Sequence, residues 1–203
     1  DGPAKEKVVG EPTLDKVEKA QRITRYLNWQ MTEQMPGFRA ELEQLSTQLP
    51  LGGGQYLKIT WDANTKKPVP MFVPIDDVYL PFAATNFYTA ERKTHVQYLT
   101  KIEYQKRVQA GMYLDVDVAV DPLPPDESKA SKANDKIEGR SSDSYNVDGL
   151  RTIFECYIII DLDNGDGLAP YIISIDKSTQ RILSIYRNWE EEDETKQEMY
   201  WMV

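Results

Sequence analysis

Three strings in this chain combine residue types and spacings that chemistry uses. The first is Asp161-Leu162-Asp163-Asn164-Gly165-Asp166-Gly167, with carboxylates at alternating positions and then a third. A helix–loop–helix calcium site needs acidic or amide side chains at positions one, three and five, glycine at six and glutamate at twelve. Counted from Asp161, position five is Gly165, six is Asp166 and twelve is Ile172, and strand patterns rather than helices flank the string. A β-turn is the better reading, because Asn, Asp and Gly supply turn geometry. A metal-assisted hydrolase or nuclease using Asp161, Asp163 and Asp166 is the alternative function. The second string is Leu49-Pro50-Leu51-Gly52-Gly53-Gly54-Gln55-Tyr56-Leu57-Lys58. A phosphate-binding loop needs a lysine and a hydroxyl straight after its last glycine, and a dinucleotide loop needs a strand before the glycines and a helix after them. Here Gln55 follows, Lys58 points out of a strand pattern, and helix precedes strand. A glycine after a helix supplies positive φ instead. The third candidate is His95, the only histidine. One imidazole with no cysteine nearby makes no typical zinc site and defines no nucleophile triad, so it reads as a partly buried structural residue. The acidic run Glu190–Glu194 reads as a solvated turn. No catalytic, cofactor-binding or metal-binding residue is assigned, and the chain is not expected to be an enzyme.

The chemistry of the whole chain narrows the classes further. Its 203 residues are 40% hydrophobic and 28% charged, enough for one domain or two small ones without disulfide staples. The single cysteine, Cys156, lies in the apolar run Ile153–Ile160 and is expected to be a buried core thiol. Net charge is −9, from 33 acidic and 24 basic residues, which argues against a general nucleic-acid grip. It leaves room for a protein that surrounds nucleic acid without holding its phosphates. No stretch approaches the roughly eighteen apolar residues of a membrane span.

The elements that must position these residues follow from periodicity. After an irregular tail at 1–13, Val17, Ala20, Ile23, Leu27, Met31 and Met35 make one apolar helical stripe. Thr13 is placed as its N-cap, and Pro36-Gly37 breaks or bends it. A second stripe, Phe38, Leu42, Leu45 and Leu49, ends at Pro50. From Tyr56 the period becomes two, giving a half-buried strand, a polar turn at 62–67, and a short edge strand at Val69–Val73 with prolines beside it. Val73–Asn86 is extended and runs into a loop; His95–Leu99 is a strand. Thr100 and Glu103 form a capping box for a helix at Lys101–Ala110, which Gly111 stops.

Residues 121–149 are rich in Pro, Ser, Lys and Asp with almost no apolar side chains, and read as a flexible linker or loop. Strands at Thr152–Leu162, Pro170–Asp176, Arg181–Arg187 and Glu198–Val203 then make a meander, the first of them apolar on both faces and therefore central. The fold class is α+β: a kinked helical pair packed on antiparallel sheets, with a C-terminal β-meander. The segments are 1–13, 14–120, 121–149 and 150–203.

The order of these motifs resembles the portal, or head-to-tail connector, proteins of tailed bacteriophages. A long helix runs into LPLGGGQYLKITWD, followed by the segment Val73-Pro74-Ile75-Asp76-Asp77 and the loop Ala84-Thr85-Asn86. Thr94-His95 opens a strand, a short helix follows, and Gly111-Met112-Tyr113-Leu114-Asp115-Val116 ends it. The most specific piece is Pro170–Asp176 with Ile182-Leu183-Ser184-Ile185-Tyr186-Arg187-Asn188-Trp189. The resemblance covers about residues 17–203, with 121–149 the least matched. It implies a structural subunit of a ring, of about twelve copies in that family, at one vertex of the capsid. The ring gives DNA its channel without sequence-specific binding, docks the terminase motor and later holds the tail. Partners would be other copies, terminase, and capsid and tail proteins, with no membrane. Localisation would be the virion, after assembly in the cytoplasm of the host bacterium. The resemblance makes the glycine run a packing joint between helix and strand. Because the family chain continues past the Arg-Asn-Trp hairpin into long helices, this is expected to be the wing-side part of a longer protein. By itself it is expected to be a monomer or a weak oligomer.

Overall fold

A computed structural model describes residues 2–62, 65–116, 150–162, 167–199 and 202. The chain divides into two compact units, residues 1–75 with 201–203 and residues 76–200. The architecture is α+β: an N-terminal helix pair followed by antiparallel sheets and a C-terminal meander.

In the first unit, helix α1 spans Leu14–Trp29 and α2 spans Phe38–Gly52. Between them the chain widens into a π turn at Gln30–Gln34, closed by Met35 N donating to Gln30 O at 3.0 Å. The cause lies one residue on. Pro36 brings no N–H, and its ring would strike the carbonyl four residues back, so the helix loosens before it stops. Gly37, at φ +82°, then starts α2. Thr13 occupies the N-cap position of α1 with extended backbone, yet its side chain accepts no capping bond. Helix α2 also runs two residues past the expected stop, carrying Pro50 inside its last turn. A proline φ suits helix, and so near the end only one backbone bond is lost. Strands β1 (Gln55–Asp62) and β2 (Lys67–Pro74) pair antiparallel in full register, with α2 packed against both. β2 is longer than its two prolines suggested. In a two-stranded ribbon every second N–H faces outward, where a missing donor costs nothing.

The second unit is built on a five-stranded antiparallel sheet in the order β3-β4-β5-β6-β7. Its strands are Val78–Tyr79, Arg92–Leu99, Arg151–Ile160, Ala169–Asp176 and Ile182–Arg187. β5 is the middle strand, as its two apolar faces require. β3 and β4 come from ahead of residues 121–149, and β4 pairs with β5 from Arg92↔Ile158 to Leu99↔Arg151. Helix α3 (Lys101–Gln109) has the expected capping box: Glu103 N donates to Thr100 Oγ1 at 3.2 Å, and Thr100 N to Glu103 Oε2 at 2.9 Å. Gly111, at φ +73°, follows it. The core of this unit gathers Leu99, Tyr104, Tyr113, Val116, Ile153 and Leu183. A bulge between β6 and β7 near Ser174 and Ile175 lies beside Leu183, which is fully enclosed.

The strand expected at Glu198–Val203 is described only at Glu198, Met199 and Met202. Glu198 and Met199 belong to no strand, and Met202 makes a single antiparallel bridge to Lys58. The linker expected at 121–149 lies outside the described residues. Among those described, no helix is long and apolar enough to cross a membrane.

Candidate functional site

The glycine run is a joint. Gly53 stands at φ +78° just past α2, and its amide donates to Leu49 O at 3.0 Å. Gly54 N donates to Gly52 O at 3.0 Å. Two of the three amides are therefore consumed by the turn itself and cannot converge on an anion. The geometry is also of the wrong sign, since α2 presents the run with its C-terminal, negative end. A Cβ on Gly54 would stand 3.1 Å from Ile75 Cδ1, which marks the close approach of the two segments. Lys58, expected to point outward, is instead 1% exposed. Met202, from far along the chain, makes an antiparallel bridge to it.

His95 is buried, as part of a polar seam on one face of the second sheet. Its Nδ1 stands 3.4 Å from Glu155 Oε2, across the β4–β5 register. Gln97 Nε2 donates to the same Glu155 oxygen at 2.7 Å and lies 3.3 Å from His95 Nδ1. Arg107, reaching from α3, donates to Gln97 Oε1 at 2.7 Å and to Tyr113 Oη at 2.6 Å. Tyr157 also bonds Glu155; burial first, and then the Glu155 charge, hold its phenol well above the usual range. Lys93, two residues before His95, grips both oxygens of Glu198 at 2.8 and 2.7 Å. These contacts tie α3 and the segment after β7 to the sheet. The imidazole's neighbours in this seam are the Glu155 carboxylate and the Gln97 amide. Arg151 and Asp176 do similar work: Asp176 Oδ2 accepts from Ser178 Oγ (2.7 Å), Thr179 N (3.0 Å), Thr179 Oγ1 (2.7 Å) and Arg151 (3.3 Å), fixing the β6–β7 turn.

Of the carboxylate string, Asp161 is described and exposed, while Asp163 and Asp166 lie outside the described residues. Among the described residues no group of three His, Cys, Asp or Glu side chains could hold a metal ion. Cys156 is only half-buried, on the sheet face opposite His95, where Thr94 Oγ1 donates to its sulfur at 3.6 Å. Its run is apolar on both faces, but the core gathers on the face that holds Ile153. The acidic run forms a turn. Asp193 accepts from Thr195 N, Thr195 Oγ1 and Gln197 N, and these bonds hold its carboxyl below the usual range.

Sequence periodicity marked one face of α1 and passed over the other. No residue of α1 is buried; Val17, Ala20 and Leu27 are half-buried at most, and Ile23 is exposed. The opposite face carries Lys19, Arg22, Arg25, Tyr26 and Trp29, all exposed. The two rings stand 5.8 Å apart at 44°, with Arg22 and Arg25 one turn behind them. The signal was present in the spacing, since Arg22–Tyr26 and Arg25–Trp29 are both four apart. Where α1 gives way to α2, Met31, Met35, Pro36, Phe38, Leu42 and the tail residue Pro3 line an open apolar groove of about 680 Å³. The tail is held there by reciprocal bonds between Asn28 and the Ala4 backbone, at 2.8 and 3.1 Å.

A scan of the chain against protein-family models finds no match, and a search of curated proteins finds none either.

Proposed function

We propose that this chain is the wing-side part of a subunit of a phage portal ring, a structural protein of the virion. The ring would form the channel through which DNA is packaged and ejected. It would dock terminase and then the tail at the capsid vertex. What carries the reading is the order of motifs along the chain: the helix into LPLGGG, the VPIDD segment, the ATN loop, the Thr94-His95 strand and the paired strings PYIISID and ILSIYRNW. The glycine run fits this role as a joint, its amides used up by the backbone. The acidic balance fits as well, because a channel in which DNA slides gains nothing from neutralising phosphates.

Negative-stain electron microscopy of the full gene product tests it. Rings with a central hole support the reading; monomers alone, at concentrations where rings assemble, overturn it. The hydrolase reading has its own test, melting in calcium, magnesium or manganese. A metal at 100 times its dissociation constant adds about 2.7 kcal/mol of stability. The portal reading expects no such shift.

A further inference from the structure

Helix α1 is an element without a core. It has 16 residues, none of them buried, and a helix of that length is marginal in water unless a face is covered. Its uncovered face is basic and aromatic. Tyr26 is 57% exposed and Trp29 46%. Around them stand Lys19, Arg22 and Arg25, for which the described residues supply no salt bridge or hydrogen bond. Residues 14–29 hold four cations against two carboxylates, in a chain whose net charge is −9. The same chain carries the complement. The turn after β7 sets Glu190, Glu191, Glu192 and Glu194 at exposed positions with no cation among them, and none of these four is paired among the described residues. Asp193 instead shapes the turn, which fixes its neighbours in a compact acidic knob.

We propose that the Lys19–Arg22–Arg25–Tyr26–Trp29 face of α1 receives the Glu190–Glu194 turn of a second copy of this chain. The aromatic pair supplies the desolvated centre of the contact and the arginines its charged rim. The two surfaces differ and both lie on one chain. The contact is therefore head-to-tail, the kind that propagates into a closed ring when its rotation closes. This deepens the portal reading and rests on it, by naming the faces through which neighbours meet. A second copy is favoured over nucleic acid because the chain itself carries the complement of this face, an exposed acidic turn with no cation at 190–194.

The test uses two variants of the chain, both changed only at exposed positions and checked for helix content by circular dichroism. In one, Arg22→Glu and Arg25→Glu reverse the helix face. In the other, Glu191→Lys and Glu192→Lys reverse the turn. Sedimentation across micromolar concentrations should show weak self-association of the wild type. Each variant alone should associate about tenfold more weakly. Mixed together, the two should recover wild-type association, because each reversed face then meets a reversed partner. In this assay several results overturn the proposal. They are a wild type monomeric throughout, variants that associate unchanged, a mixture that does not recover, and a concentration-independent change in melting, which would place the pairing within one chain. If reversal of α1 leaves association intact but abolishes binding of a single-stranded oligonucleotide, the face belongs to nucleic acid and the proposal also fails. Microscopy separates this from the parent reading. Rings that persist in the full product with α1 reversed remove this contact and leave the portal intact, whereas wild type without rings removes the portal.

Discussion

The two units of this chain use similar sequence patterns to opposite ends. The second unit closes a core around Ile153, Leu183 and Tyr104, each under 2% exposed, and even its buried charges have partners. In the first, the helical pair spreads an equally regular apolar stripe over its surface: Ile23 is 41% exposed, Leu42 38% and Leu49 43%. Periodicity tells a helix which face is apolar, but not what covers it. The contrast teaches that the second unit is specified by its own packing, while α1 leaves its apolar stripe largely uncovered among the described residues.

The sharpest way to break this comparison is at the buried ion pair of the second unit. Lys93 and Glu198 are 5% and 14% exposed at their side chains. Replacing Lys93 by Met leaves the carboxylate buried without its closest cation, and should cost about 3–5 kcal/mol in urea unfolding. Adding Glu198→Leu should return most of it. A single variant within about 1 kcal/mol of wild type would show that the segment after β7 is not anchored there. Next in size is a matched truncation in each unit. Ile153→Ala should cost about 2–5 kcal/mol, and Ile23→Ala less than about 1 kcal/mol. Equal losses would mean that α1 is as deeply covered in solution as the sheet core, and the contrast would go.

The joint between α2 and β1 offers a smaller probe. Gly53 has φ +78° with open space around its Cα, so Gly53→Ala meets only backbone strain, about 1 kcal/mol. At Gly54 the obstacle is the tip of Ile75, which can give way, so Gly54→Ala should be milder. The reverse order, read by thermal melting, would mean that close approach rather than backbone conformation demands glycine here.

Much of this architecture was legible in the sequence, and the limits have a common cause. Spacing of three and four gave α1 and α2, period two gave β1 and β4 to β7, and Thr100 with Glu103 gave the cap of α3. Those are local signals, each contained within one element. The π turn at Gln30–Gln34 was not legible, because its cause, Pro36, acts one turn upstream. The buried Lys58 is bridged by Met202, far along the chain, and the polar seam depends on β4 meeting β5 across residues 121–149. No local pattern carries such pairings. Cys156 shows the same limit: apolar neighbours along a strand do not decide which sheet face a core covers. The basic-aromatic face of α1 is legible in spacing too, but the apolar stripe accounts for a helix by itself and gives no reason to single that face out.

The smallest effect discriminates most finely between half-buried and exposed charge. Asp77, at the entry to the second unit, has its carboxyl pushed from 3.8 up to about 6, by burial first and then by the charge of Asp76, against an opposing hydrogen bond from Tyr98. Between those two values the folded chain keeps a proton that the unfolded chain has lost. Stability from this group therefore falls as pH rises through about 4 to 6, and the loss is complete above about 6. Asp77→Asn removes the titration and keeps an acceptor for Tyr98. The variant should match wild type near pH 4 and exceed it at pH 7. The gain should stay below about 1 kcal/mol once solvent screening of a partly exposed group is allowed for. In melting that is at most about 2–4 °C for a chain of this size. A difference that is constant across pH, or that grows as pH falls, would show that burial does not govern this carboxyl. The entry to the sheet would then be as open to solvent as the charged face of α1.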